Sequence, residues 1–254
     1  MLRRLFPIAA LVTSAVVTPL AAQIAQIAPA AGAEAVQPRS SLDRSSAAAA
    51  FHRPPSAIAV APPEAARDTA RRVPLDLRIA AQLRSSGVQR NGAMRAAARV
   101  FDSAAIPGTL FLAAAIYGVG RVQDDAGLSD LGLHTGQAIA VAGGVSLAGK
   151  VIVGRARPRI SPQDPHDVQL GRGLHGNPYQ SFPSAHTAVA FATAAVMAAE
   201  LPGRLEDPSG WVAPAAYAGA AVSAVSRLYY DEHWASDILA GAIVGTLSGF
   251  VLTN

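Results

Sequence analysis

The sequence predicts an all-α helical bundle, and three observations carry the prediction. Apolar residues make up 51% of the 254 positions but aromatic ones only 6%, and the commonest of the apolar residues is Ala, which favours helices and packs weakly in strands. Five uncharged apolar runs, at residues 103–120, 131–149, 187–199, 208–226 and 238–254, are separated by short charged turns and one long loop. Ahead of them, Ile79, Leu83, Met94, Ala98 and Phe101 recur at helical spacing while Arg84, Arg95 and Arg99 fall off that stripe.

In chain order, residues 1–22 have the pattern of an export signal: a positive start, an apolar stretch and small residues before Gln23. Residues 23–74 are rich in Ala, Pro, Ser and Arg, with two Pro pairs and no sustained apolar period, and are expected to form a flexible, partly polyproline linker. Order is expected from residue 75, with one or two amphipathic helices over 76–102 and then about five core apolar helices, so that 75–254 form one catalytic domain. The loop at 158–182, rich in Gly, Pro, Asp and His, is long for a connection inside a compact helical domain, and loops of that kind carry function.

Charge and composition exclude several functions. The absence of Cys removes disulfide scaffolds, Cys-bound metal centres and thiolate catalysis. Residues 23–99 hold 11 basic and 5 acidic side chains, whereas 100–254 hold 8 and 12. The basic half lacks interleaved aromatics, so it suits solvent or anionic lipid better than nucleic acid. The apolar runs are near the roughly 20 residues needed to cross a bilayer, and the run after His186 is short. Two turns, at 121–130 and 200–207, each carry one Arg against three acids, without the Lys/Arg excess expected on a cytoplasmic face. A membrane-embedded bundle and a soluble, lipid-facing one both remain open.

Three polar clusters interrupt the apolar helix ends, each with the composition of an anion site. Lys150, the only Lys among 21 basic residues, is followed seven positions later by Arg157-Pro158. On a continuing helix, seven residues is close to two turns, which would put both cations on one face, with Pro158 near the end. Pro183-Ser184-Ala185-His186 precedes an apolar run, where a helix is expected to begin; free N–H groups, the dipole, the Ser184 hydroxyl and His186 would meet there around a phosphate-like anion. Ser226-Arg227 leads to His233 and Asp237, whose i, i+4 spacing would let a carboxylate orient an imidazole on one helix face. Arg155 and Arg159 are expected to meet solvent or lipid headgroups. Asp164, His166, Asp167 and His175 are expected to belong to a polar lid in place of a metal site, and Asp231 and Glu232 to be rim charges able to raise the His233 pKa.

With these residues in view, the sequence resembles the type 2 phosphatidic acid phosphatases, which share a superfamily with bacterial class A acid phosphatases and vanadium haloperoxidases. The family pattern KxxxxxxRP, PSGH, SRxxxxxHxxxD is matched by residues 150–158, 183–186 and 226–237, with 24 and 39 residues between the motifs. Ala185 stands where the family usually has Gly; its N–H is retained, and a helical φ there would leave the site competent.

The resemblance implies an exported phosphatase in which Lys150, Arg157, Arg227, Ser184 and the Ala185 N–H hold the phosphoryl oxygens. His233 would attack phosphorus, oriented by Asp237, and His186 would protonate the leaving alkoxide. It implies no cofactor and no metal, with the three cations in the place of metal ions. The expected substrates are membrane lipid phosphates such as phosphatidic acid, phosphatidylglycerol phosphate or an isoprenyl diphosphate, handled on the periplasmic side of the cytoplasmic membrane. A soluble periplasmic phosphatase of broad specificity, a vanadate-dependent haloperoxidase and a non-catalytic envelope module are the alternatives.

Overall fold

The computed structural model describes residues 73–207 and 209–254, so the expected export signal and nearly all of the expected linker lie outside the described residues. Seven α-helices follow one another: α1 Leu75–Leu83, α2 Ser86–Arg90, α3 Gly92–Val122, α4 Ala126–Val153, α5 Ala185–Leu205, α6 Val212–Tyr229 and α7 Ala235–Thr253. Among the described residues there is no strand, and one isolated bridge joins Arg155 to Val168 within the long loop. The all-α bundle is therefore the fold.

The amphipathic N-terminal segment divides as its stripe requires. Leu83, Met94 and Ala98 are buried, and Met94 and Ala98 pack with Val222 and Tyr229 of α6. The second half of that segment is continuous with the first apolar run, giving the 31-residue α3 that passes through Pro107. Local chemistry sets the helix starts. Asn91 accepts from the Met94 N–H at 3.0 Å and Asp125 from the Leu128 N–H at 2.8 Å, each satisfying a donor the helix itself leaves free. The run after His186 is longer as a helix than as an apolar segment, because α5 continues through Glu200 and Pro202 to Leu205.

Helix α5 packs against α3, α4, α6 and α7, which makes it the central helix. Leu131, Ala138 and Ala142 of α4 meet Ala188, Ala192 and Val196 of α5 in the main core, with Ile116, Ala216 and Val244 against them from α3, α6 and α7. The α5–α7 contact is closer than ordinary side chains allow. Gly241, Gly245 and Gly249 recur every four residues on α7, and a Cβ at Gly245 would strike the Ala188 carbonyl of α5. Small residues at this period let two helix backbones approach and gain dispersion energy along their length. The outcome is functional geometry: the Ser184 N–H donates to the Asp237 carbonyl at 3.1 Å, tying the starts of α5 and α7 together.

The opposite face of α7 carries Leu239, Ile243, Leu247, Phe250 and Val251, all exposed. Thus α7 is small inside and large and apolar outside, the inverse of a helix facing water. Exposed Leu110, Phe111 and Val119 on α3 and Leu133, Val141, Val145 and Ile152 on α4 extend this belt. Among the described residues, four helices hold stretches long and apolar enough to cross a membrane: Ala105–Val122, Ala126–Val153, Ala185–Leu205 and Ala235–Thr253. The acidic turns meet at one end of the bundle, where Arg204 pairs with Asp125 at 3.4 Å and His134 with Glu200 at 2.7 Å. Lys150, Ser184, Arg227 and Asp237 lie at the other end, each within a turn of a helix terminus.

Candidate active site

Helix α4 delivers Lys150 in its last turn and then stops. Gly154 caps it in the left-handed region at φ +60°, and its N–H returns to the Lys150 carbonyl at 3.3 Å. Lys150 and Arg157 therefore do not share a helix face as the spacing suggested; glycine ends the helix three residues before Arg157, which reaches the site from the loop. Lys150 Nζ donates to the Gln180 carbonyl at 2.6 Å. The Arg157 Nε donates to the Asn177 carbonyl at 2.8 Å, and its Nη1 to the Glu232 carbonyl and carboxylate at 2.9 and 2.7 Å. That same Nη1 stands 3.5 Å from His233 Nε2.

Helix α5 begins where the motif predicts. Ser184 is its N-cap, fully buried, with its Oγ accepting from the Thr187 hydroxyl at 3.0 Å. Ala185 is the first helical residue and is absent from the positive-φ positions, so nothing in the backbone requires glycine there. His186 lies in the first turn, partly buried, and the charges acting on it are those of Lys150, Arg157 and Glu232. Arg227, in the last turn of α6, pairs with Asp102 of α3 and lies 3.7 Å from Glu232. Glu232 thus faces Arg157, Arg159 and Arg227 together, at 2.7, 3.2 and 3.7 Å. It is a bridge between guanidinium groups as well as a rim charge.

His233 and Asp237 also meet differently from the i, i+4 expectation. Helix α7 starts only at Ala235, so His233 precedes the helix while Asp237 sits in its first turn. Asp237 Oδ2 accepts from the Trp234 N–H at 2.8 Å and the Ser181 hydroxyl at 2.5 Å, and Oδ1 accepts from Arg155 at 2.5 Å. His233 Nδ1 is 3.6 Å from Oδ2, beyond hydrogen-bond range, and has no hydrogen-bond partner among the described residues. A carboxylate held by three donors is a fixed reference for the imidazole beside it, and Nε2 is left directed toward Arg157.

Burial pushes the His233 pKa down to about 3, with Asp237 opposing the shift and Lys150 and Arg157 reinforcing it. Asp231 and Glu232 are not among the groups that shift it, and in place of the expected rise the desolvation of a ring only 3% exposed dominates. His233 is neutral near pH 7, with a lone pair available. Burial also lowers the Arg157 guanidinium, and Glu232 works against that shift.

A stability consequence follows from linkage. The folded His233 pKa lies below the ordinary value of 6.5, so between about pH 6.5 and 3 the unfolded chain binds a proton that the folded chain refuses. Stability contributed by keeping this ring neutral is complete above that window and declines as pH falls through it. Melting curves at pH 7.5 and 4.5 are expected to show a smaller acid-induced drop in His233→Asn than in the parent. An identical drop in both would contradict the burial argument.

Two residues that sequence reasoning set aside prove structurally important. Arg155 is buried at 6% exposure and does not face solvent or headgroups. Its neighbour Arg159 is exposed and pairs with Glu232 and Asn177. Asp76, which the sequence offered only as part of an amphipathic helix, accepts from Arg155 at 2.9 Å and from the Ser236 N–H at 2.8 Å. No periodicity separates such an arginine from a surface one. A hint lay in its position between the α4-capping Gly154 and Arg157. The loop acids and histidines gather no metal-like cluster: Asp167 pairs with Arg172 at 2.7 Å, and no group of three or more His, Asp or Glu side chains is arranged to hold a metal among the described residues.

The sequence model of the PAP2 superfamily matches residues 131–254. A lipid A 1-phosphatase of Porphyromonas gingivalis (strain ATCC 33277) is 38% identical over 111 residues, covering 44% of this chain and 20% of the relative. The chain thus spans about a fifth of the length of the curated relative it matches. No solved structure gives a significant match. The matched region contains all three polar clusters and helices α5, α6 and α7 entire, and it is this part of the chain, residues 131–254, that is similar to the PAP2 superfamily.

Proposed function

We propose that the protein is a membrane-embedded phosphatase that removes phosphate from a lipid through a phosphohistidine intermediate. The observation that carries this reading is a neutral, buried imidazole set among Lys150 and Arg157 at the polar end of helices whose outward faces are apolar. Cations converging on one pocket stabilise the charge spread over a transferring phosphoryl group. In the first step His233 Nε2 bonds to phosphorus while the ester P–O bond breaks in line, and His186 gives its proton to the departing alkoxide. In the second, water attacks phosphorus with His186 taking its proton, the P–N bond breaks and phosphate leaves. Lys150, Arg157, Arg227, the Ser184 hydroxyl and the Ala185 N–H hold the phosphoryl oxygens throughout.

Phosphatidic acid, phosphatidylglycerol phosphate and isoprenyl diphosphates suit the site, and the similarity to a lipid A 1-phosphatase adds lipid A. The export signal expected at residues 1–22 supports a pocket on the periplasmic side in this reading. The test is a phosphate-release screen of detergent-dispersed lipid phosphates against a small aryl phosphate, with and without EDTA. The lipids are expected to be turned over faster, with EDTA harmless and orthovanadate inhibitory, since five-coordinate vanadate resembles the in-line transition state. Equal or better use of the aryl ester would contradict the lipid assignment. Activity lost in EDTA and restored by a divalent cation would contradict the metal-free mechanism.

A further inference from the structure

The first turn of α7 has a capping problem that another helix solves. Its N-cap is Trp234, whose side chain has no oxygen to accept from the free N–H groups of the turn. Asp237 turns back to the Trp234 N–H, and the Ser236 N–H is taken by Asp76 of α1, 160 positions earlier, at 2.8 Å. Asp76 also accepts from the Ser236 hydroxyl at 2.6 Å and from Arg155 Nη2 at 2.9 Å.

Arg155 completes the line. Its Nη1 donates to Asp237 at 2.5 Å and to Ser236 Oγ at 2.7 Å, its Nη2 to Asp76 and the Pro165 carbonyl, and its Nε to the same carbonyl at 2.9 Å. All five N–H donors of the guanidinium are thereby engaged, which leaves none for a phosphoryl oxygen. The guanidinium lies 5.7 Å from the Trp234 ring centroid, so it is fixed in plane as well as by its bonds. At the far end of α1, Arg84 grips Asp231 through both carboxylate oxygens at 2.9 and 3.0 Å. Helix α1 is thus anchored on both sides of His233, which with Asp76, Ile79 and Ala80 lines a narrow crevice behind the site.

We infer that Asp76 and Arg155 are positioning residues for the proposed nucleophile: Asp76 holds Arg155 and the start of α7, and Arg155 holds the Asp237 carboxylate beside His233. Asp76 lies outside residues 131–254 that match the superfamily, so the chain supplies part of its catalytic support from α1, ahead of the matched region. The inference rests on the phosphohistidine reading above.

The experiment is Asp76→Asn in the full chain. The amide keeps the shape but sets an N–H against Arg155 or gives up the Ser236 contacts. Removing the support of a reacting group costs on the order of 10–100-fold where comparable outer contacts have been lost, so kcat is expected to fall about tenfold or more. KM and the inhibition constant of inorganic phosphate, an anion held by the cations without a bond to His233, stay within about twofold, because Lys150, Arg157 and Arg227 are untouched. Arg155→Lys, which keeps the charge and loses the fork, is expected to show the same split. A kcat within threefold of the parent in both variants, or inhibition by inorganic phosphate lost together with kcat in both, overturns the inference. An inactive parent, or a His233→Asn variant as fast as the parent, would instead refute the phosphohistidine reading itself.

Discussion

His233→Asn is expected to lower the rate of phosphate release by roughly 10⁴-fold or more, the scale seen when a nucleophile is removed from a site that otherwise remains assembled. The size follows from the absence of any substitute. His186 is assigned to the leaving group, and Asp237 is fully buried behind three hydrogen-bond donors. Asn approximates the volume of the ring, so packing around Trp234 is disturbed little. Substrate binding is expected to survive, because the cations proposed to hold phosphate come from α4, the long loop and α6. Release in a steady-state assay within tenfold of the parent would remove His233 from the mechanism.

Arg157→Lys is expected to reduce kcat/KM by about 10²–10³-fold, the usual cost of losing a fixed oxyanion donor. Charge is retained, so a site using only long-range attraction would tolerate the change. Geometry is what disappears. Arg157 uses Nε to fix itself on the Asn177 carbonyl and Nη1 to reach Glu232 and the edge of His233. A lysine ammonium has neither the fork nor the planarity to hold these contacts while presenting a donor to phosphate. The inhibition constant of inorganic phosphate is expected to rise in parallel, which separates this variant from Asp76→Asn. Unchanged phosphate affinity would argue that Arg157 serves the loop and not the anion.

The fold was legible because the apolar runs and their Ala content leave few alternatives to packed helices, and the start of α5 was legible because Ser184 has the chemistry of an N-cap. The arrangement inside the motifs was less so. Seven residues between Lys150 and Arg157 read as two helical turns, but Gly154 adopts a left-handed conformation and ends the helix first. Four residues between His233 and Asp237 read as one helix face, yet the helix begins between them, after Trp234. Spacing identifies which residues converge; caps and loop path decide how. Arg155 and Asp76 were illegible for a different reason. Their partners are distant in sequence, up to 160 positions away, and an Asp on an amphipathic helix gives no local sign that it caps another one.

Rapid quenching in alkaline detergent during turnover of ³²P-labelled lipid phosphate examines the proposed chemistry at its intermediate. Label should be found on the peptide containing His233, stable to alkali and released by acid as a phosphoramidate is, and absent from the His233→Asn protein. A parent enzyme that turns over with label on another residue, or with label on His186 in place of His233, would contradict the assignment of the nucleophile.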